Sequence, residues 1–319
     1  MVVRRLLLVL LISLLATACA GQPTTSDWDT SSPFAGFALS PPSLDQGGFE
    51  DYFDRIELGA DLVAWVGAWQ NIDDATSVYE MAEERGYVPV VVTGFPTGTD
   101  GLRELPEDPS ELLETVSNWV ADHPVPFLGF GVEVNAFLYE RAPEDFEWFV
   151  DTFPEIVASV HEVSPDTIVF PGFQVERLRG LKGGLFGEAD TLPVWDLIDR
   201  FPDADAIGFT SYPGLVFTAP DQIPSDYYTE ITAHTDKPIV FTELGWQAGG
   251  DLLEWSGTPE KQAEFVTTQV AQLAEMSEMI IWSFLYDQQV GGAPFETMGL
   301  IDNAGTERIA WHAWLEIFG

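Results

Sequence analysis

The chain has a single cysteine, Cys19, in 319 residues, so no disulfide can form within it and no cysteine-based redox or metal cluster can be built. Histidine is nearly as scarce. His123, His161, His234 and His312 are the whole set, and all four fall in segments that read as helices or connections. Hydrolytic metal sites draw on histidine, so metal catalysis is not expected and no cofactor is called for. Bases are short as well, with 13 Lys and Arg against 52 Asp and Glu. Without Arg4 and Arg5, which belong to the leader described below, 11 bases remain and the net charge falls near −41. Such a field repels nucleic acid and other polyanions and favours a neutral or cationic partner, although a solvated acidic surface suited to a salty medium is the simpler account. The shortage has a local consequence too. Few carboxylates can be neutralised by ion pairs, so an acid inside an apolar run calls for a reason beyond structure. Phosphate-cradling loops are also missing: neither GxGxxG nor GxxxxGK stands at a strand-to-helix turn.

The one long apolar run near the start, Leu6 to Leu15, follows Arg4 and Arg5 and leads to Ala-Thr-Ala ahead of Cys19. It is too short to span a bilayer comfortably and has the layout of a secretory signal over residues 1–18. Leu-Ala-Thr-Ala-Cys resembles the lipobox of bacterial lipoproteins, in which Cys19 becomes the lipidated first residue of the mature chain. Ala16 stands where leucine is more usual, and ordinary cleavage near Ala18 or Ala20 is the alternative. Residues 19–33 are small and polar and read as a tether. The expectation is therefore a secreted monomer held on the cell envelope as a lipoprotein, with the membrane met only through Cys19. Residues 34–319 show no second change of composition and read as one domain.

Eight apolar runs follow: Phe34 to Leu39, Leu62 to Gly67, Val88 to Thr93, Phe127 to Val132, Thr167 to Gly172, Ala206 to Thr210, Pro238 to Thr242 and Met279 to Phe284. Most are continuous rather than alternating, as in strands covered on both faces. Helices fit between them. Asp74 to Arg85 stops at Gly86; Asp108 with Pro109 and Glu111, and Thr258 with Pro259, have the chemistry of helix starts. Glu144 to His161 is interrupted by Pro154, which predicts a kink or two shorter helices, and Glu307 to Phe318 closes the chain. Eight alternations in this length predict an α/β fold of the (β/α)₈ TIM-barrel type, with a doubly wound open sheet as the alternative.

In such a barrel the strand ends ring one face. Residues there are Ser40, Trp69, Gln70, Phe95, Glu133, Asn135, Gln174, Glu176, Tyr212, Glu243, Trp246, Trp282, Tyr286 and Asp287. Carboxylates, amides and aromatic rings suit a sugar, whose hydroxyls take hydrogen bonds and whose ring faces stack on indole and phenol. Core packing is the ordinary fate of any one tryptophan, and position at a strand end is what raises Trp69, Trp246 and Trp282 above it. Phe127 to Asn135 (FLGFGVEVN) and Ile239 to Trp246 (IVFTELGW) each deliver one acid from a buried run, Glu133 and Glu243, the minimal equipment for cleaving a glycosidic bond. Arg177, Arg179 and Lys182 cluster after the fifth strand, either holding that loop through Glu176 or meeting an anionic substituent.

LGFGVEVN, IGFTSYP, VFTELGW and IIWSF, in that order, resemble the clan of retaining (β/α)₈ glycoside hydrolases, and GVEVN and IGFTSYP are similar in particular to the arabinogalactan endo-β-1,4-galactanase family. The resemblance implies Glu133 as acid/base, Glu243 as nucleophile, Tyr212 as the hydroxyl bonding that nucleophile, and Trp282 as floor of the sugar subsite. Asn135, Gln174, Trp69 and Trp246 complete the expected substrate contacts. Two departures stand out. Val132 occupies the place where the clan has an asparagine bonding the sugar 2-hydroxyl, which lowers the expected rate, and the second strand lacks an arginine. Asn135 could replace that amide only if the strand bulges. A non-catalytic carbohydrate-binding lipoprotein on the same barrel is the alternative, because the fold alone does not fix the activity.

Overall fold

The computed structural model describes residues 33–289 and 292–319. The expected signal, the Cys19 lipidation site and the tether up to Ser32 lie outside the described residues.

The apolar runs form β1 (Phe34–Ala38), β2 (Leu62–Ala68), β3 (Val88–Gly94), β4 (Phe127–Phe130), β5 (Ile168–Phe170), β6 (Gly172–Gln174), β7 (Ile207–Ser211), β8 (Ile239–Leu244) and β9 (Met279–Trp282). All pair in parallel, in the order β5-β4-β3-β2-β1-β9-β8-β7-β6. The predicted fifth strand is thus two short ones. Pro171 has no N–H for the ladder and divides the run, so β5 pairs with β4 while β6 pairs with β7. The Gly172 N–H donates to the Gly131 carbonyl at 2.8 Å, and the sheet closes there. The nine runs make the eight strands of a (β/α)₈ barrel.

Side chains alternate along the strands between two cores. Leu62, Val90, Val92, Phe127, Phe170, Val240, Met279 and Ile281 fill the barrel interior. Phe37, Val63, Val91, Leu128, Phe209, Phe241, Ile280 and Trp282 belong to a separate, larger cluster beneath the helices.

The helical layer begins with α1 (Gln46–Ile56), capped by the Asp45 carboxylate, and α2 (Ala75–Arg85), which ends at Gly86 with φ 81°. Asp108 accepts from the Ser110 N–H at 2.9 Å, so α3 (Ser110–Asp122) starts just past the expected Pro109. α4 (Pro143–Val163) is one helical segment through Pro154, where a break was expected. A buried stripe of Phe146, Phe149, Phe153, Ile156 and Val160 holds it to the barrel, and that burial outweighs one lost hydrogen bond. After the fifth and sixth barrel strands the layer is thin, with α5 only Val175–Leu178 and short 3₁₀ turns at Pro213–Leu215, Pro220–Gln222 and Thr229–Ala233. α6 (Pro259–Phe265) is capped by Thr258 and continues through a π turn, Val266–Val270, into α7 (Ala271–Leu273). α8 (Ile309–Phe318) buries Trp311 and Trp314. No helix among the described residues is long and apolar enough to cross a membrane.

Candidate active site

Glu133 follows the end of β4 through an unusual turn. Gly131 has φ 89°, and a Cβ there would meet Phe149 at 2.7 Å, so the chain needs glycine. Glu133 itself has φ 50°, a left-handed conformation that costs a non-glycine residue on the order of 1 kcal/mol. Its carbonyl accepts from the N–H groups of Ala136 and Phe137, both at 2.9 Å, and leads into a π turn at Asn135–Tyr139. The carboxyl is aimed across the barrel mouth. Its Oε1 accepts from Thr210 Oγ1 at 2.6 Å and from Gln174 Nε2 at 3.0 Å.

Glu243 lies within β8. Strand parity alone would send it outward, since Val240 faces the barrel interior and Phe241 the helices. A bulge changes that parity. The register against β7 runs Phe209 to Phe241 and then Thr210 to Glu243, so β8 carries one extra residue, and Leu244 joins the outer cluster instead. Glu243 thereby reaches the cleft, where its Oε2 accepts from the Tyr212 hydroxyl at 2.6 Å. Ser283 Oγ lies 2.8 Å from the same hydroxyl. β7 ties the two acids together. Thr210 holds Glu133, Tyr212 two residues on holds Glu243, and the backbones of Thr210 and Glu243 are paired in register.

Both acids line a cleft of about 960 Å³ at the C-terminal mouth of the barrel. Burial pushes Glu243 up to about 7; the Glu133 charge adds to the rise, while the Tyr212 hydroxyl and Arg103 oppose it. Burial also raises Glu133, against Thr210, Gln174 and the charges of Arg103 and Arg177. The pair therefore retains one proton toward neutral pH. Tyr212 is raised well above the usual phenol range, first by burial and then by Glu243, so it remains a donor. Among the described residues no group of three His, Cys, Asp or Glu side chains could hold a metal ion.

The other expected contacts divide. Gln174 and Tyr212 line the cleft. Asn135 does not serve as a sugar ligand: its Nδ2 donates to the Gln174 carbonyl at 2.9 Å and its Oδ1 accepts from the Gln174 N–H at 2.8 Å. It clamps β6 to the β4 turn and is buried out of the cleft lining, so it does not replace the missing asparagine, while Val132 lines the cleft with an apolar side chain. The three tryptophans are core residues rather than sugar platforms. Trp69 is buried in the outer cluster, Trp246 stacks on Phe265 at 5.5 Å, and Trp282 donates its Nε1–H to the Met298 carbonyl at 2.9 Å. The reason is strand parity: Ile281 points inward, so Trp282 points outward, and the β8 bulge carries Trp246 the same way. The aromatic rings at the cleft are Phe95, Phe137, Phe186, Phe284, Phe295 and Tyr212.

The basic cluster after the fifth strand does hold its loop, but not through Glu176. Arg177 pairs with Glu140 and Glu188, Lys182 with Glu140, and Arg179 with Glu230. Glu176 is buried behind Tyr212, and its Oε1 accepts from Ser211 Oγ at 2.8 Å, Tyr227 OH at 2.9 Å and the Tyr212 N–H at 3.1 Å. Thr210 and Arg103 are functional neighbours that the residue pattern did not single out. The spacing of Thr210 and Tyr212 on one strand face could have pointed to the first; nothing in the loop around Arg103 marks the second.

Among solved structures, the catalytic core of xylanase A superposes with a TM-score of 0.65 at 11% identity, covering 91% of this chain and 98% of that one. A glycoside hydrolase family 17 β-1,3-glucanosyltransferase from Rhizomucor miehei gives 0.61 at 14% identity, over 86% of this chain and 95% of that one. A calcium-binding mutant of Bacteroides uniformis beta-glucuronidase 2 gives 0.60 at 14%; 89% of this chain is covered, but the match spans only 34% of that larger chain. The likeness is one of fold, the (β/α)₈ barrel of glycoside hydrolases. No family model and no curated protein matches the sequence.

Proposed function

We propose that the protein is a secreted, lipid-anchored retaining glycoside hydrolase that cleaves O-glycosidic bonds of an oligo- or polysaccharide by double displacement. The observation that carries this reading is the pair Glu133 and Glu243 in one cleft, each held through a single oxygen, the first by a hydroxyl of β7 and the second by the tyrosine just past its end. The free oxygens have complementary uses. Gln174 and Thr210 both occupy Glu133 Oε1, which leaves Oε2 as the oxygen to carry the proton that is passed to the leaving glycosidic oxygen. Tyr212 fixes Glu243 Oε2, and Oε1 attacks the anomeric carbon to form a glycosyl ester as the aglycone departs. Glu133, now ionised, takes a proton from water, and the oxygen of that water displaces Glu243. The barrel neighbours named above, among them a xylanase and a beta-glucuronidase, support the reaction class.

A carbohydrate-binding protein without turnover is the second reading, and Val132 favours it, because no amide replaces the hydrogen bond that strengthens toward the transition state. Kinetics of two variants decide. Glu243→Ala is expected to abolish hydrolysis of aryl glycosides. Glu133→Ala is expected to slow substrates with poor leaving groups far more than activated aryl glycosides, since only the former need a proton as the bond breaks. Equal loss on both substrates removes Glu133 from the acid role, and binding without hydrolysis across a broad sugar panel supports the second reading.

A further inference from the structure

We propose that the cleft accepts an acidic sugar, whose anionic substituent, a carboxylate or sulfate ester, is held by Arg103 and Arg141 beside the two glutamates. The inference rests on the cleft being a glycan site and specifies what kind of glycan enters it.

Arginines are rare in this chain, and at most places the acids consume them. Arg55, Arg85, Arg177, Arg179, Arg200 and Arg308 each form an ion pair with a carboxylate. Arg103 and Arg141 both line the cleft and, among the described residues, neither forms one. In a protein with 52 acidic residues, two guanidinium groups at one cleft with no carboxylate at ion-pair distance keep donors available for an anion from outside.

The structure brings them together. Arg103, in the connection between β3 and α3, uses Nη1 to donate to the Phe95 carbonyl at 3.1 Å and to Thr97 Oγ1 at 2.7 Å. Its remaining donors have no hydrogen-bond partner among the described residues. Arg141, just before α4, is exposed and has one long bond, 3.4 Å, to the Gly101 carbonyl. Both sit over the Phe137 ring, with Cζ atoms 4.3 and 5.3 Å from its centroid. Burial and then the neighbouring charge of Arg141 lower the Arg103 pKa, while Glu133 and Glu243 across the cleft raise it.

A charge count agrees. Of the charged cleft residues, Glu140 and Glu188 are matched by Arg177 and Lys182. What remains is two arginines and the two glutamates, a cleft whose formal charges balance inside a strongly negative protein. The net charge by itself favours neutral or cationic partners. Over a Debye length of about 8 Å at physiological salt, however, the nearby arginines outweigh the distant surface carboxylates. A planar guanidinium binds carboxylate and sulfate oxygens in the same way, so the chemistry fixes the charge and leaves the acid group to experiment.

The test is calorimetric binding of matched oligosaccharides, neutral, uronate-containing and sulfated, to the intact chain and to Arg141→Ala and Arg103→Ala. Acidic oligosaccharides are expected to bind at least roughly tenfold more tightly than neutral ones, and Arg141→Ala to lose roughly tenfold for the acidic ligand while leaving the neutral one within twofold. Affinity for the acidic ligand should fall with added salt. The preferred acid, uronate or sulfate, identifies the substituent. Because Arg103 also anchors its loop, Arg141→Ala carries the decision. Equal affinity for neutral and acidic ligands, an equal loss on both in Arg141→Ala, or no binding of any of them overturns the proposal. The two readings fail separately: acidic glycans bound through Arg141 but never hydrolysed would remove the enzyme, whereas neutral glycans hydrolysed without regard to Arg141 would remove the acidic substrate.

Discussion

Replacing Glu176 by glutamine should make the protein less sensitive to pH, and the size of the effect follows from the side chain's surroundings. Glu176 is fully buried, and its three donors all converge on Oε1, while Oε2 has no partner. Burial pushes its pKa from 4.5 up to about 7. A raised acid binds a proton more tightly in the folded than in the unfolded chain, so between the two values the native state holds more protons and stability falls as pH rises. A rise of about 2.5 pH units corresponds to about 3 kcal/mol, which is absent below pH 4.5 and fully developed as a penalty above pH 7. Glutamine keeps an acceptor for Ser211, Tyr227 and the Tyr212 N–H but cannot ionise. Its unpaired NH₂ takes the place of an unpaired acid O–H, so below pH 4.5 the variant and the parent should be equally stable, with the difference opening steadily above it. At pH 8 the variant should be more stable by about 3 kcal/mol. Urea unfolding of both proteins from pH 5 to 8 measures this, and taking the difference removes the surface-charge contribution that they share. Parallel stability curves, with a constant offset, would refute the reasoning and mean that Glu176 is ionised at neutral pH at little cost.

Tyr212→Phe removes the hydrogen bond that favours ionised Glu243, so kcat/KM should fall roughly 10- to 100-fold and the acid limb of the rate profile should move to higher pH; an unchanged limb would separate Tyr212 from the nucleophile. Trp282→Phe should lower stability by about 1–3 kcal/mol, through the lost bond to the Met298 carbonyl, while leaving KM within twofold. A large rise in KM would put the indole back in the sugar site.

The sequence carried the barrel and the two acids because each is expressed in a local pattern, a buried apolar run with a terminal acid, whereas the Tyr212 contact was implied only by the resemblance of IGFTSYP to glycosidase sequence. It did not carry which face each strand end presents. Trp246 and Trp282 stand beside functional positions in the chain, yet they pack under the helices, because period-two alternation and the bulge at Thr242 and Glu243 turn them outward. A list of strand-end residues discards that parity, and the bulge is a property of pairing with β7 and β9. Asn135 fails for a different reason. Its spacing from Glu133 suits a substrate contact, but both halves of its amide meet a backbone 39 residues away. The split at Pro171 brings that backbone there.

These departures meet at β7. Thr210 bonds Glu133, Ser211 bonds Glu176, and Tyr212 bonds Glu243, so three consecutive residues engage three acids, two buried and one half-buried at the cleft. Alternation sends Thr210 and Tyr212 to the cleft and Ser211 to the opposite face, where Glu176 also takes the Tyr212 backbone N–H. Glu176 thus lies behind the tyrosine that orients the proposed nucleophile. The segment IGFTSYP encodes this strand, and its resemblance to glycosidase sequence is intelligible in those terms. The hydroxyl pattern Thr-Ser-Tyr supplies donors to both faces of one buried strand. In a chain with so few bases, hydroxyl donors are the means available to hold carboxylates in place without neutralising them. A carboxylate held in that way keeps an oxygen free, which the proposed double displacement asks of both acids. Burial raises the proton affinity that it asks of Glu133 alone, and the Tyr212 hydroxyl opposes that rise at Glu243.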